Sequence, residues 1–142
     1  MSLLGQSLNR ASIFFGVFLL LTSGSTRAAC DDPAAPNVDW QGCDKTWQQL
    51  PNVDLSNANL AGANLSNSNL EGANLYKANL TGASLLGANL QGVNFSAATI
   101  ISAFLTKSRI AGANLEGAVF DKAHWVNGQP CKDGSIGECK WR

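Results

Sequence analysis

The sequence predicts an all-β solenoid, a parallel β-helix with four short walls per coil, and three observations support this fold class. Every fifth residue from position 55 to position 120 is large and apolar. A small residue stands two positions before each of them, and it is Ala in ten of the fourteen repeats. A period of five matches neither a strand nor a helix. A unit this short cannot bury its apolar side alone, so the units must close into coils that stack.

The large apolar residues are predicted to fill the lumen of this solenoid. Four walls make a square coil of about twenty residues, and coils joined by parallel backbone hydrogen bonds lie about 4.8 Å apart. The fourteen repeats then form a rod of about 17 Å. Residues 53–122 contain no Pro, as expected where every backbone N–H is needed for pairing. The predicted lumen residues are Leu55, Leu60, Leu65, Leu70, Leu75, Leu80, Leu85, Leu90, Phe95, Ile100, Leu105, Ile110, Leu115 and Phe120.

Residues 1–29 have the layout of a secretory signal peptide. Arg10 precedes a short apolar core, and small polar residues follow that core before Arg27. The uncharged stretch between these arginines is shorter than the about 20 apolar residues of a membrane-spanning helix. Cleavage after Ser25 and cleavage after Ala28 both fit. We therefore expect a periplasmic or secreted protein with no integral membrane segment after cleavage.

The four cysteines predict two disulfides in such an exported chain. Cys30 and Cys43 precede the repeats, and Cys131 and Cys139 follow them; an even count in an exported chain is typical of disulfides. A rod of about 17 Å between the pairs exceeds the reach of a disulfide, which favours Cys30–Cys43 and Cys131–Cys139. The sequence has no C-x-x-C motif and a single His, so we expect no metal and no cofactor.

Lipid attachment at Cys30 is an alternative. The two alanines before Cys30 resemble the end of a lipobox. Arg27 stands where that motif has an apolar residue, which disfavours the lipoprotein interpretation.

The exported chain divides into three parts. Residues 30–52 are predicted to form an N-terminal cap segment, residues 53–122 the β-helix, and residues 123–142 a C-terminal cap segment. All four Trp residues lie outside the repeats, two on each side. An open solenoid end exposes unpaired backbone groups and needs a cover, so we expect the Trp residues to help close the ends.

The repeat Ala-Asn-Leu-x-Gly, as in residues 63–65, 73–75, 88–90 and 113–117, resembles the pentapeptide-repeat family. The resemblance implies a right-handed quadrilateral β-helix. The family includes cytoplasmic members that imitate DNA and block type II topoisomerases by means of a strongly acidic surface. Here residues 53–122 carry four acidic and four basic side chains, and the chain is predicted to be exported. The topoisomerase-directed role is therefore the weakest alternative.

Residues for catalysis or nucleic-acid binding are not evident. The single His, His124, occupies an outward wall position, and no nucleophile or phosphate-binding motif accompanies it. Removal of residues 1–29 leaves eight basic and ten acidic residues, so no basic patch favours nucleic acid. We expect no enzyme activity.

The outward pattern fails at one place, which is the candidate interaction patch. Apolar residues take outward positions on the third wall toward the C-terminal end, counting residues 53–57 as the first wall. An exposed apolar cluster is a candidate contact site, but the C-terminal cap segment could also fold over it, and both interpretations stay open. The patch comprises Leu86, Ile101, Phe104, His124 and Val126.

These observations predict a non-enzymatic structural or protein-interaction module with a protein partner. The alternative is an envelope ligand binder that holds a glycan or peptide through the patch and the Trp side chains. The sequence does not predict the oligomeric state.

Overall fold

The computed structural model describes residues 29–141, so the predicted signal peptide lies almost entirely outside it. Residues 29–141 contain no helix, and their β-structure consists of isolated single-residue bridges. Parallel bridges join residues twenty positions apart, from Asp39–Asn59 to Phe104–His124. Bridged residues recur every five positions, so each coil has four walls. The prediction of a parallel β-helix is confirmed.

We number the walls from the first predicted repeat and extend each number to the equivalent residues one coil away. Walls 1 to 4 contain residues 53–57, 58–62, 63–67 and 68–72, respectively.

Each wall makes the same three backbone hydrogen bonds to the next coil. Leu70 N donates to Asn89 O (2.9 Å) and Gly72 N to Gln91 O (2.8 Å). Asn89 N donates back to Ser68 O (2.9 Å). A wall therefore presents two donors and one acceptor toward the C-terminal end. Toward the N-terminal end it presents two acceptors and one donor.

The predicted lumen residues form the core. All of them except Ile110 and Leu115 are fully buried, at 0% exposure. Ile110 and Leu115 are half-buried because they lie on walls 4 and 1 of the last coil, where no further coil follows. The small residues two positions earlier, such as Ala83 and Ala88, are also fully buried.

The β-helix begins earlier than the predicted boundary at residue 53. Asp39 is already bridged to Asn59, and the lumen positions of this first coil are occupied by Trp40, Lys45 and Leu50. Trp40 and Lys45 do not fit the five-residue sequence pattern. The hydrogen bonds between coils join backbone atoms, however, so they continue through these two residues. Most of the predicted N-terminal cap segment, residues 30–52, therefore belongs to the first coil of the β-helix. The cap itself is limited to residues 29–37.

The β-helix also ends slightly later than the predicted boundary at residue 122. His124 is bridged to Phe104, and Trp125 takes the next lumen position, with its ring edge-to-face on Phe120 at 5.1 Å. The C-terminal cap is therefore formed by residues 128–141.

The N-terminal cap covers walls 2 and 3 and also pairs with wall 1, where Asn37 N donates to Ser56 O (2.8 Å). Trp40 Nε1 on wall 2 donates to Asp32 O (3.1 Å). Lys45 Nζ on wall 3 donates to Cys30 O and lies 3.9 Å above the Trp40 ring centre.

The C-terminal cap covers the same two walls at the other end. It runs antiparallel along the edge of the last coil, with bridges Val119–Ile136 and His124–Pro130. Lys122 N, between these bridges, donates to Cys131 O (3.0 Å).

Both predicted disulfides are present. Cys30–Cys43 joins the N-terminal cap to wall 3, with the Cα atoms 5.4 Å apart. Cys131–Cys139 closes a loop within the C-terminal cap, with the Cα atoms 5.1 Å apart. No free cysteine remains among the described residues.

The corner residue, two positions after each lumen residue, has left-handed backbone. Gly is frequent there, but Trp47 (φ 60°), Asn57 (φ 57°) and Lys107 (φ 63°) adopt the same conformation. The left-handed region is costly for L-residues other than Gly and, to a lesser degree, Asn. The stacked coils therefore impose this conformation on side chains that do not favour it.

Gly72→Ala should destabilise the protein more than Gly82→Ala. Both glycines have nearly the same φ, 66° and 67°. A Cβ at Gly72 would lie 2.3 Å from Asn52 Oδ1, whereas a Cβ at Gly82 would meet nothing within 4 Å. Gly82→Ala should therefore cost about 1 kcal/mol, the strain of a left-handed Ala, and Gly72→Ala should cost more. Urea unfolding of both variants measures the difference.

The same comparison in an Asn52→Ala background is the control. Removing the Asn52 side chain should bring the two costs together. Equal costs already in the wild-type background would show that Asn52 moves away freely.

Candidate functional site

The outward face of wall 3 carries two adjacent columns of side chains. Bridges place Ser84, Phe104 and His124 in consecutive coils of the first column. In the second column, Gly87 N donates to Thr106 O (3.1 Å) and Lys107 N to Val126 O (2.9 Å), which stacks successive coils in register. The second column contains Leu86, Thr106 and Val126.

Phe104 and His124 form the centre of this surface. Their rings are stacked, with centroids 5.0 Å apart and an interplanar angle of 14°. Phe104 is 41% exposed, and Leu86, one coil closer to the N-terminus, is 42% exposed. The other patch residues, Ile101 and Val126, are half-buried, as is His124.

Ile101 belongs to wall 2, as expected from its position in the repeat. Gly82 N donates to Ile101 O (2.9 Å), which places Ile101 in the wall 2 column that precedes the corner to wall 3. It therefore borders the patch from the neighbouring wall.

The C-terminal cap does not lie over Leu86 or Phe104. Its bridges run along the coil edge at Val119 and His124, and the two apolar side chains remain exposed. Of the two interpretations that the sequence left open, the structure favours an exposed surface.

His124 is shielded on one side. Its Nδ1 atom is buried and has no hydrogen-bond partner among residues 29–141. With its ring stacked on Phe104, the imidazole presents a flat aromatic face. This arrangement suits contact with an apolar group.

Sequence reasoning missed Thr106 as a member of this surface. Thr106 is polar and therefore not an exception to the outward pattern, yet its column position lies between Leu86 and Val126. Counting twenty residues from Leu86 would have found it.

Wall 1 offers a contrasting outward surface, in which the polar groups satisfy one another. Asn74 Nδ2 donates to Asp54 Oδ1, and Asn94 Nδ2 donates to Asn74 Oδ1, both at 3.1 Å. The Asp54 carboxylate also accepts the N–H of Ser56 (2.9 Å), which lowers the pKa of Asp54. Because these groups already have partners, wall 1 is a structural ladder rather than a binding surface.

Residues 29–141 contain no enclosed or metal-binding site. This part of the chain has no enclosed pocket. It has no group of three or more His, Cys, Asp or Glu placed to hold a metal ion. Nor does any helix long and apolar enough to cross a membrane occur in the same residues.

A model of the Pentapeptide repeats family, in eight copies, matches residues 49–87, 73–110 and 88–124. These overlapping stretches span more than half of the 142 residues. Together with the twenty-residue coil, the match defines the class: the chain belongs to the pentapeptide repeat family. The family carries the right-handed β-helix that the resemblance implied. A comparison with curated proteins found no match.

Several solved structures are similar to the chain. A pentapeptide repeat protein from the thylakoid lumen of Arabidopsis thaliana is 27% identical, over 71% of this chain and 83% of that protein, with a TM-score of 0.43. Rfr23 from the cyanobacterium Cyanothece 51142 is 37% identical, over 66% and 67%, with a TM-score of 0.42. QnrB1, a plasmid-mediated fluoroquinolone resistance protein, is 20% identical, over 71% and 72%, with a TM-score of 0.30.

Proposed function

We propose that the protein is an exported, non-enzymatic interaction module whose partner protein binds the patch on wall 3. The observation that carries this proposal is the exposed, stacked Phe104–His124 pair next to Leu86. Most other outward positions hold Asn, Ser or Thr. An aromatic and aliphatic cluster on such a surface gains free energy when a partner removes it from water.

Export is proposed from the disulfides and the N-terminal sequence. Two disulfides persist in an oxidising compartment and are rare in the cytosol, so the periplasm or the extracellular space fits best. A lipid anchor at Cys30 would occupy the sulfur that bonds to Cys43. The disulfide and the lipid exclude each other, and we favour the disulfide.

The second candidate, glycan or peptide binding, is supported by two exposed Trp side chains. Trp47 is 71% exposed and Trp141 is 45% exposed. They lie at opposite ends of the β-helix, so they do not form a single binding surface. A role in fluoroquinolone resistance like that of QnrB1 is disfavoured, because acidic and basic residues are balanced in the repeats.

The contact site is tested by crosslinking in intact producing cells. A photoreactive amino acid at position 104 should capture a discrete partner. The same probe at Asn79, an exposed bridge position on wall 2, should not. Capture from position 86 should yield the same partner, because both side chains belong to one surface.

A matched variant separates contact from folding. Phe104→Asn installs the residue that the repeat most often has at this position, so the coil should stay intact. With the probe at position 86, this variant should lose the partner while its melting temperature stays within a few degrees. Equal capture at positions 79 and 104, or capture unaffected by Phe104→Asn, would reject wall 3 as the site.

A further inference from the structure

Wall 4 of the last coil, residues 108–112, has a backbone edge that no further coil covers. In the preceding coil, Leu90 N donates to Arg109 O (2.7 Å), and each wall repeats this pattern of two donors and one acceptor. The equivalent groups of the last coil have no hydrogen-bond partner among residues 29–141; they are the N–H groups of Ile110 and Gly112 and the carbonyl of Ser108. Such an edge is a template for pairing with another chain.

The C-terminal cap leaves the edge of wall 4 clear. Its bridges lie on walls 2 and 3. Gly137 approaches wall 1, where a Cβ built on it would lie 3.7 Å from Leu115 O. On wall 4, the atom nearest to a Cβ built on Gly112 would be Gly92 N of the preceding coil, at 3.9 Å. Gly112 is exposed and Ile110 is half-buried, so an added strand can reach this wall.

Ser108 contributes a buried polar group to the same edge. It is 8% exposed, and its Oγ has no partner among the described residues. Ser68, at the equivalent position two coils earlier, donates its Oγ to Leu65 O (2.6 Å). A buried hydroxyl without a partner costs free energy. A ligand that offers it a hydrogen bond would therefore be favoured.

The side chains of this wall favour an acidic ligand. Lys107, at the preceding corner, and Arg109 are exposed, and residues 107–112 contain no acidic residue. Arg109 donates to the neutral Gln91 Oε1. Neither Lys107 nor Arg109 forms an ion pair with a carboxylate among residues 29–141. Their positive charge is therefore available to attract a negative partner.

We propose that wall 4 of the last coil binds an extended, acidic peptide segment of another protein as a further parallel strand. The hydrogen bonds between the coils define its register. One ligand residue accepts from Ile110 N and donates to Ser108 O, and the residue two positions later accepts from Gly112 N. The side chain of the first residue continues the outward column of Arg109 and is acidic. The side chain that follows it covers Ile110 and is apolar.

Nuclear magnetic resonance of the disulfide-bonded protein, as purified from its producing cells, tests the proposal. The probe is the peptide Ala-Asp-Leu-Ser-Gly, acetylated and amidated at its ends. Its binding should shift the amide signals of Ile110 and Gly112. At saturation their hydrogen exchange should slow by about tenfold, because both become hydrogen-bonded. The amides of Leu90 and Gly92, which are already paired on the same wall, should not change.

Two changes separate strand addition from charge attraction alone. Arg109→Glu should weaken binding by about fivefold or more. Lys77→Glu makes the same change of charge at an exposed corner of wall 1 and should alter binding by less than about twofold. Methylation of the Asp amide nitrogen of the peptide removes the donor to Ser108 O and should weaken binding by about tenfold. An unchanged melting temperature shows that the Arg109→Glu variant is folded.

This site is separate from the patch on wall 3, so each can fail without the other. The proposal is overturned if the peptide does not bind, or if binding leaves the amides of Ile110 and Gly112 unchanged. Equal weakening by Arg109→Glu and Lys77→Glu also overturns it. Shifts confined to Phe104 and His124 would place the peptide on the wall 3 patch instead. Protection of Ile110 that rises with protein concentration, without peptide, would assign the edge to a second copy and contradict the proposal.

Discussion

Leu85→Ala is expected to lower the free energy of unfolding by about 2–5 kcal/mol, the range for a buried Leu truncated to Ala. Leu85 is fully buried in the lumen. Its coil is held on both sides, because Leu65 N donates to Ser84 O and Leu85 N donates to Phe104 O, each at 2.7 Å. These ladders prevent the wall from collapsing into the cavity, so we expect a cost in the upper part of the range. Urea unfolding followed by circular dichroism measures it.

Two further truncations calibrate this result. Glu71→Ala removes an exposed side chain from wall 4 and should change the free energy of unfolding by at most about 0.5 kcal/mol. Ile110→Ala changes a lumen position of the last coil, where no further coil follows and the side chain is only half-buried, and its cost should fall between the two. Equal costs for Glu71→Ala and Leu85→Ala would mean that the assignment of inward positions is wrong.

The interior of the rod could be predicted because every wall there has the same neighbours. Leu70 on wall 4 and Leu75 on wall 1 are packed and paired in the same way, so a five-residue pattern specifies their burial. The first coil lacks this regularity. Lys45 takes a lumen position yet places its ammonium group on Cys30 O and over the Trp40 ring. Such a contact depends on the cap, whose sequence does not repeat. At the N-terminal end the β-helix therefore includes residues that the five-residue pattern does not cover.

The candidate site, too, could be predicted from the sequence only in part. Counting twenty residues places Ser84, Phe104 and His124 on one wall, and the bridges agree. The position of the C-terminal cap could not be predicted. Antiparallel bridges such as Val119–Ile136 join backbone atoms and require no particular side chains, so the sequence pattern does not indicate them. The half-burial of Ile110 and Leu115 follows from where that cap lies. It could therefore not be predicted from the sequence either.

Trp40→Ala should be the most damaging change at the N-terminal end, with a cost of about 3–5 kcal/mol. The Trp40 side chain is 2% exposed and fills the lumen of the first coil. Its Nε1 donates to Asp32 O, and its ring supports the Lys45 ammonium group. Truncation opens a cavity and removes two contacts of the cap together. Urea unfolding measures the loss.

Trp47→Ala is the matched control for that prediction. Trp47 is 71% exposed and occupies a corner with left-handed backbone (φ 60°), so its truncation removes little packing and should stay within about 0.5 kcal/mol. Hydrogen exchange separates the cap from the rod. In Trp40→Ala, amides of residues 37–50 should lose protection, while those of residues 85–105 remain protected at low denaturant because each coil is held mainly by its neighbours. Uniform loss of protection along the chain would show instead that the rod unfolds as one unit and that its first coil supports all the others.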